Sequence, residues 1–148
     1  MDNKIIIDTN VFIKAFFDLD DSNDCLRLIA NLDKMTVLFS QDTIGELMYI
    51  IKNCTHYLNT TEEQSLQILK SVTEIFYYGK SINTFKINES DLPNINDQTD
   101  MMFVKLAIAG NADYIITNDK KSGILDLKDQ PFRTCTTKEF ISYLLNKE

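Results

Sequence analysis

Histidine and cysteine are scarce in this 148-residue chain, which has one histidine, His56, and three cysteines, Cys25, Cys54 and Cys135. The cysteines are widely scattered, with no CxxC pair and no cluster with the histidine, so nothing in their spacing suggests zinc. They read as buried or surface thiols. His56 lies among Asn, Thr and Tyr in a polar stretch expected to form a loop, where a lone solvated histidine is the simpler account than a catalytic one. Long apolar runs are absent too: none approaches the roughly 18 residues of a membrane span, and the first residues lack the small-residue cleavage site of a secretory signal. The expected location is the cytoplasm. No repeat, low-complexity tract or linker interrupts residues 1–148, which are expected to form a single domain able to bury an ordinary core. Basic charge is outnumbered, 15 Lys and Arg against 22 Asp and Glu, for a net charge of −7. That balance argues against tight nonspecific binding of nucleic acid through a basic surface. It leaves open an acidic site that meets phosphates through a divalent metal, since the ion reverses the local field, and attraction for a basic partner segment.

Against those absences, two segments stand out. Lys4-Ile-Ile-Ile-Asp8-Thr-Asn10 and Asp113-Tyr-Ile-Ile-Thr-Asn-Asp119 each run a short apolar strand straight into an aspartate. A continuous isoleucine-rich run reads as a strand buried on both faces, as a parallel sheet covered by helices requires. In such sheets the carboxyl ends of the strands share one edge, and ligands bind there. If both strands join one sheet, Asp8 and Asp119 project into one crevice, where they repel each other unless a cation or a proton intervenes.

The rest of the chain alternates strand and helix, which argues for a three-layer α/β fold. Strands are expected at 4–8, 36–40, 84–87, 113–118 and 132–135. Helices are expected at about 10–18, 22–34, 42–54, 62–78 and 98–110, with a terminal one behind the capping box Thr136-Thr-Lys-Glu139. Residues 53–61 read as a loop, Thr61 as the cap of the helix that follows, and Gly79 and Gly110 as stops.

Further acids fall at the same predicted edge. Asp97 and Asp100, three residues apart at a helix start, share one face, and that face continues through Val104 and Ala107 into a stripe suited to packing on the sheet. Each acid also has a plain structural explanation. Asp97 and Asp100 can cap their helix and complement its dipole, Asp8 or Asn10 can cap the helix after the first strand, and Asp119 can be a turn residue. The coincidence of all four at one edge favours a shared site. Glu46 is different: Ile44, Leu47, Met48 and Ile51 mark the buried face of its helix, and Glu46 lies nearly opposite, so periodicity makes it solvated. Thr43-Ile-Gly-Glu46 also matches a capping box.

At these residues the sequence resembles the PIN-domain nucleases, including VapC-type toxins of bacterial toxin-antitoxin pairs. Ile7-Asp8-Thr9-Asn10-Val11-Phe12 is similar to the family's opening acid motif, and Ser40 followed by Glu46-Leu47 to its second. Asp97-Gln-Thr-Asp100, continuing through Phe103, Leu106, Ala107 and the stretch from Ala112 to Asp119, resembles the third and fourth. The resemblance implies a three-layer fold with a central parallel sheet of about five strands flanked by helices. It implies that Asp8, Glu46, Asp100 and Asp119 are the catalytic acids that hold Mg²⁺ or Mn²⁺, with Asp97 an auxiliary or alternative metal ligand. Thr9, Asn10 and Thr117 would orient those carboxylates by hydrogen bonds. Asn118 stands where relatives often carry Gly, a difference that bears on loop shape. Residues 52–95 carry no family motif.

The activity so implied is endonucleolytic hydrolysis of RNA by an activated water, with no protein nucleophile. Lys14, Lys120 and Lys121 lie near the predicted acid edge, where they can steer a phosphate backbone or simply remain solvated. The implied partners are an RNA substrate and a small cognate antitoxin offering a basic side chain to the acidic pocket, with a second copy of the chain as a further partner. Alternatives are a stand-alone RNA-processing nuclease and a noncatalytic module that binds RNA or protein. A haloacid-dehalogenase-type phosphotransferase fits poorly, because its usual second aspartate is Asn10 here.

Overall fold

The computed structural model describes residues 3–19 and 22–146. Five strands form one parallel sheet: β1 (Asn3–Ile7), β2 (Met35–Phe39), β3 (Lys80–Ser81), β4 (Tyr114–Ile116) and β5 (Arg133–Cys135). Six α-helices flank it: α1 (Thr9–Phe16), α2 (Asn23–Ala30), α3 (Gln41–Tyr57), α4 (Glu62–Tyr78), α5 (Met101–Ala109) and α6 (Thr137–Asn146). The expected three-layer parallel architecture is therefore the one observed. The strand order is β3-β2-β1-β4-β5. The chain builds outward from β1 to β3, then returns to the other side of β1 for β4 and β5. The order reverses between β1 and β4, and that is where an open α/β sheet leaves a crevice at its carboxyl edge.

Side chains alternate across the sheet because successive residues of a strand point to opposite faces. Ile5, Ile7, Val37, Phe39 and Ile116 face a core built with Val11, Phe12, Leu28, Leu47, Val72 and Phe140. Ile6, Leu38 and Ile115 face a second core with Phe103, Val104, Leu106, Ile124 and Phe132. The isoleucine run of β1 is thus buried on both faces, as its composition demands. Phe12, Phe39 and Phe76 link α1, β2 and α4 through ring contacts at 6.3 and 4.8 Å. Among the described residues no helix is long and apolar enough to cross a membrane.

Local chemistry sets the element ends, with several departures from expectation; the helix expected at 22–34 ends at Ala30, and Leu32–Lys34 form a separate 3₁₀ turn. The strand expected at 84–87 is absent; the fifth strand is the two-residue β3, paired with Leu38 and Phe39. Residues 83–87 instead turn, as the Asn83 side chain accepts from Phe85 N–H and Ile87 N–H reaches Thr84 O. Entry into β3 depends on Gly79, where a Cβ would sit 2.8 Å from Val37 O and 3.0 Å from Ile75 O. In addition, α3 continues through most of the expected loop to Tyr57, so His56 is an exposed residue of its last turn. Polar Asn53, Thr55 and His56 are tolerated there because that face meets solvent, and the chain breaks away only at Asn59, whose φ is +50°. Finally, the helix expected from 98 opens as a 3₁₀ turn, Gln98–Asp100, before α5 begins.

The capping box of α3 also lies one turn earlier than Thr43-Ile-Gly-Glu46. Ser40 Oγ accepts from Thr43 N–H at 3.2 Å, and Thr43 Oγ1 accepts from Ser40 N–H at 2.9 Å. Both side chains are buried, so the box both starts α3 and leaves Glu46 free of capping duty. Thr61 caps α4 as expected and does so in a box with Gln64, and the expected box of Thr136 with Glu139 forms. Ser40→Ala removes a buried acceptor as well as a cap and is expected to lower stability by about 1–2 kcal/mol. Urea denaturation checks this; an unchanged midpoint would mean that the cap contributes nothing.

A candidate acidic active site at the sheet edge

The β1–β4 ladder does not stop with its strands. Asp8 N–H donates to Ile116 O at 2.9 Å and Thr117 N–H to Cys135 O at 3.0 Å, so the residues just past both strands stay in register. Thr117 Oγ1 then donates to Asp8 Oδ2 at 2.7 Å and accepts from Asp119 N–H at 3.0 Å. One buried hydroxyl ties the acid after β1 to the loop that carries the acid after β4. Asp119 is further held by its own turn, where Lys121 N–H donates to Oδ1 at 2.8 Å.

Glu46 arrives from α3. It is half-buried, and Thr9 Oγ1 donates to its Oε2 at 2.6 Å. Simple periodicity turned this residue outward because it measures burial around one helix only; the first turn of α1 covers the side of α3 that the pattern assigns to water. Asp97 and Asp100 divide the roles that sequence leaves open for them. Asp97 is exposed and caps the 3₁₀ turn, accepting from Thr99 N–H at 3.0 Å and Thr99 Oγ1 at 2.6 Å. Asp100 makes no cap hydrogen bond to α5 and is half-buried.

Their mutual electrostatic effects mark these side chains as neighbours. Burial, then the charges of Asp8, Asp97, Glu46 and Asp119, push the Asp100 carboxyl up to about 7. Asp8 is buried, which raises its pKa; the Thr117 hydroxyl and the Asn10 backbone N–H oppose that rise, while Glu46 and Asp119 add to it. Asn10 thus acts on Asp8 through its main chain, and its exposed side chain helps line a cavity of about 300 Å³ with Lys14, Asn118 and Asp119. Lys120 and Lys121 are exposed beside it.

Among the described residues, no three acidic, histidine or cysteine side chains close around a point as a finished metal cage. The donor chemistry nevertheless fits a hard divalent cation, which takes few carboxylates and completes its shell with water and substrate phosphate. The donors are all oxygen, and burial together with repulsion from the neighbouring acids raises the Asp100 carboxyl towards neutrality. Asp8, Glu46, Asp100 and Asp119 would hold such an ion. The thiols offer no competing chemistry: burial raises the pKa of Cys25 and Cys54, and pushes Cys135 up to about 12.

A sequence model of the PIN domain family matches residues 4–121 of the chain. No curated protein sequence matches it. Among solved structures, the chain is similar to one chain of VapBC2 from Rickettsia felis, crystallised bound to a DNA fragment from their promoter. That alignment has 16% identity and a TM-score of 0.51, over 90% of this chain and 98% of that one. It is also similar to PAE2754 from Pyrobaculum aerophilum, at 11% identity and a TM-score of 0.56, over 97% of this chain and 90% of that one. At such identities the two structures support the fold.

The carboxylates generate a pH dependence of stability. An acid whose pKa is higher folded than unfolded binds more protons in the native state between the two values, so unfolding free energy falls as pH rises through that window. In EDTA, the melting temperature is expected to fall between about pH 4, the ordinary aspartate value, and pH 7, the Asp100 value. Asp100→Asn should flatten that slope and melt higher than the parent at pH 7.5. A slope unchanged in Asp100→Asn would remove Asp100 as its source.

Proposed function

The chain belongs to the PIN domain family, a family of nucleases, and from that membership we propose that it is a metal-dependent endoribonuclease, the toxin of a type II toxin-antitoxin pair, acting on RNA in the cytoplasm. The observation that carries the proposal is the meeting of Asp8, Glu46, Asp100 and Asp119, from four separate segments, at the reversal point of the sheet.

In this reading the four acids hold Mg²⁺ or Mn²⁺, with Asp97 near enough to Asp100 to serve as an auxiliary ligand. A bound divalent ion supplies charge to polarise a phosphodiester and lowers the pKa of a coordinated water. The chain's own residues supply position. Thr117 and Thr9 fix one oxygen each of Asp8 and Glu46, leaving the other oxygen of each for ligation. Water is the attacking group: its oxygen forms a new bond to phosphorus, the ester bond to the departing sugar oxygen breaks, and that oxygen receives a proton. Neither thiol chemistry nor His56 competes, since Cys25 and Cys135 are buried and His56 lies in the exposed last turn of α3. The partner would be a small antitoxin whose Lys or Arg enters the acid cluster, which suits a chain of net charge −7. The fold shared with a chain of the VapBC2 complex supports that reading.

The test is cleavage of a mixed pool of structured RNAs in Mg²⁺ or Mn²⁺. Activity is expected to vanish in EDTA and in folded Asp8→Asn and Asp100→Asn proteins; activity that survives either substitution would overturn the assignment. Thr117→Val keeps side-chain shape but withdraws the Asp8 hydrogen bond. It is expected to lower activity or apparent metal affinity about 10–100-fold, with recovery in Thr117→Ser. Equal loss in both variants would point to packing instead of the hydroxyl.

A further inference from the structure

Asn118 stands between Thr117, which holds Asp8, and Asp119, but its amide bonds to other elements. Oδ1 accepts from Thr137 N–H at 3.0 Å and from Thr137 Oγ1 at 3.1 Å, and Nδ2 donates to Cys25 Sγ at 3.7 Å. One half-buried side chain therefore joins the loop of Asp119 to the first residue of α6 and to α2.

The sheet explains why this bond exists. In a parallel ladder the rungs are evenly spaced and alternate in direction along each strand. Arg133 N–H donates to Asp113 O and Thr117 N–H to Cys135 O, so a further rung would run from Thr137 N–H to Thr117 O. Asn118 Oδ1 takes that N–H in its place. The side chain thus extends the β4–β5 ladder by one rung while the backbone is already turning into the acid loop. Thr137 is buried, so its N–H and hydroxyl both require the acceptor that Asn118 supplies. The neighbouring box serves other groups, the N–H of Thr136 and of Glu139.

We propose that Asn118 is a positioning residue: by clamping the acid loop to α6 and α2 it sets where the Asp119 carboxylate stands for an incoming cation. The inference rests on the metal-binding reading for its effect on an ion, and on geometry alone for its effect on the loop. The turn of Asp119 is otherwise shaped from within. Asp119 N–H reaches Thr117 Oγ1, Lys121 N–H reaches Asp119 Oδ1 and Ser122 Oγ reaches Asp119 O. Such bonds fix the form of a turn, not its place against the sheet. One end of the loop is tied through Thr117, and the other by Asp97 N–H, which donates to Ser122 O at 3.1 Å. Between those ends lie the long contact from Asn96 Nδ2 to Lys121 O at 3.4 Å and the shorter pair at Asn118, next to the acid. The anchor is firm, because Phe140 and Ile141 bury α6 against the body of the protein. A small hard ion demands near-ideal placement of its few carboxylates, so a loosened Asp119 would lower metal affinity in a protein that still folds.

The experiment reads the loop in two ways. Calorimetric titration with Mn²⁺ gives metal affinity, and amide hydrogen exchange of the metal-free protein gives the opening of the Asp119 turn. Asn118→Ala is expected to weaken Mn²⁺ binding about tenfold and to speed exchange at the Asp119 and Lys121 amides, with the Ile6 and Ile7 amides unchanged. Thr137→Val is a milder change that keeps the N–H rung, and it tests the same clamp if Asn118→Ala does not fold. It should lose part of that affinity, Thr137→Ser should recover it, and the double variant with Asn118→Ala should bind no more weakly than Asn118→Ala. Glu139→Ala breaks the capping box without touching Asn118, so it should lower the melting temperature and leave Mn²⁺ affinity unchanged. Parental affinity and exchange in Asn118→Ala, with a lower melting temperature, would reduce Asn118 to a support of α6 and overturn the proposal. If the unsubstituted protein binds no Mn²⁺, the metal reading fails and exchange decides the clamp: faster exchange at Asp119 in Asn118→Ala upholds it, and unchanged exchange overturns it.

Discussion

The hydrogen bond from Asp8 N–H to Ile116 O is the constraint on which the site depends, because it carries the β1–β4 ladder one residue beyond the strands. Without it Asp8 would be a loop residue free to turn towards solvent. With it, Asp8 is pinned beside Thr117, and Thr117 joins both aspartate-bearing segments through one hydroxyl. The two cores contribute by holding β1 and β4 from opposite faces. Ile7 and Ile116 pack on one side, Ile6 and Ile115 on the other, so neither strand can slip without exposing a complete apolar set.

That rigidity sustains an arrangement unfavourable in itself. Asp8 is almost fully buried, and Asp100 carries the combined repulsion of four neighbouring acids. A fold selected only for stability would place apolar or paired groups here; an Asp100 carboxyl raised by burial and by neighbouring acids in a crevice is the pattern of a candidate site. The opposing contributions are local and modest. Two threonine hydroxyls orient carboxylates, and caps supplied by Ser40 and Asp97 start α3 and the turn before α5. Capping thus leaves the Glu46 and Asp100 side chains free for the candidate site. Asp97 closes the turn that presents Asp100, and the Ser40–Thr43 box starts the helix that presents Glu46.

The same arrangement would reconcile an acidic protein with the phosphate-bearing substrate proposed for it. The charge of −7 argues against a broad basic cradle, so the proposed substrate would be held at few points. An ion at the acid cluster would meet that requirement without a basic surface.

Sequence alone determined the layers of this protein and the acids that end its strands. Isoleucine runs buried on both faces leave little choice except a parallel sheet, and a strand of that kind running into aspartate marks its carboxyl edge. Caps at Thr61 and Thr136 were legible because they depend on residues three apart. Tertiary structure decided what depends on two segments at once. Glu46 has a solvent-facing place in its own helical pattern, and only the approach of Thr9 brings it into the site. Asp97 and Asp100 are alike in sequence, and only the burial of Asp100 within the field of Asp8, Glu46 and Asp119 separates it from the exposed cap Asp97. The short β3 was illegible for the same reason: two residues become a strand through the free edge of β2 and the close approach that Gly79 permits. Periodicity records how one element divides its residues between core and water; it carries no record of which other element supplies the core.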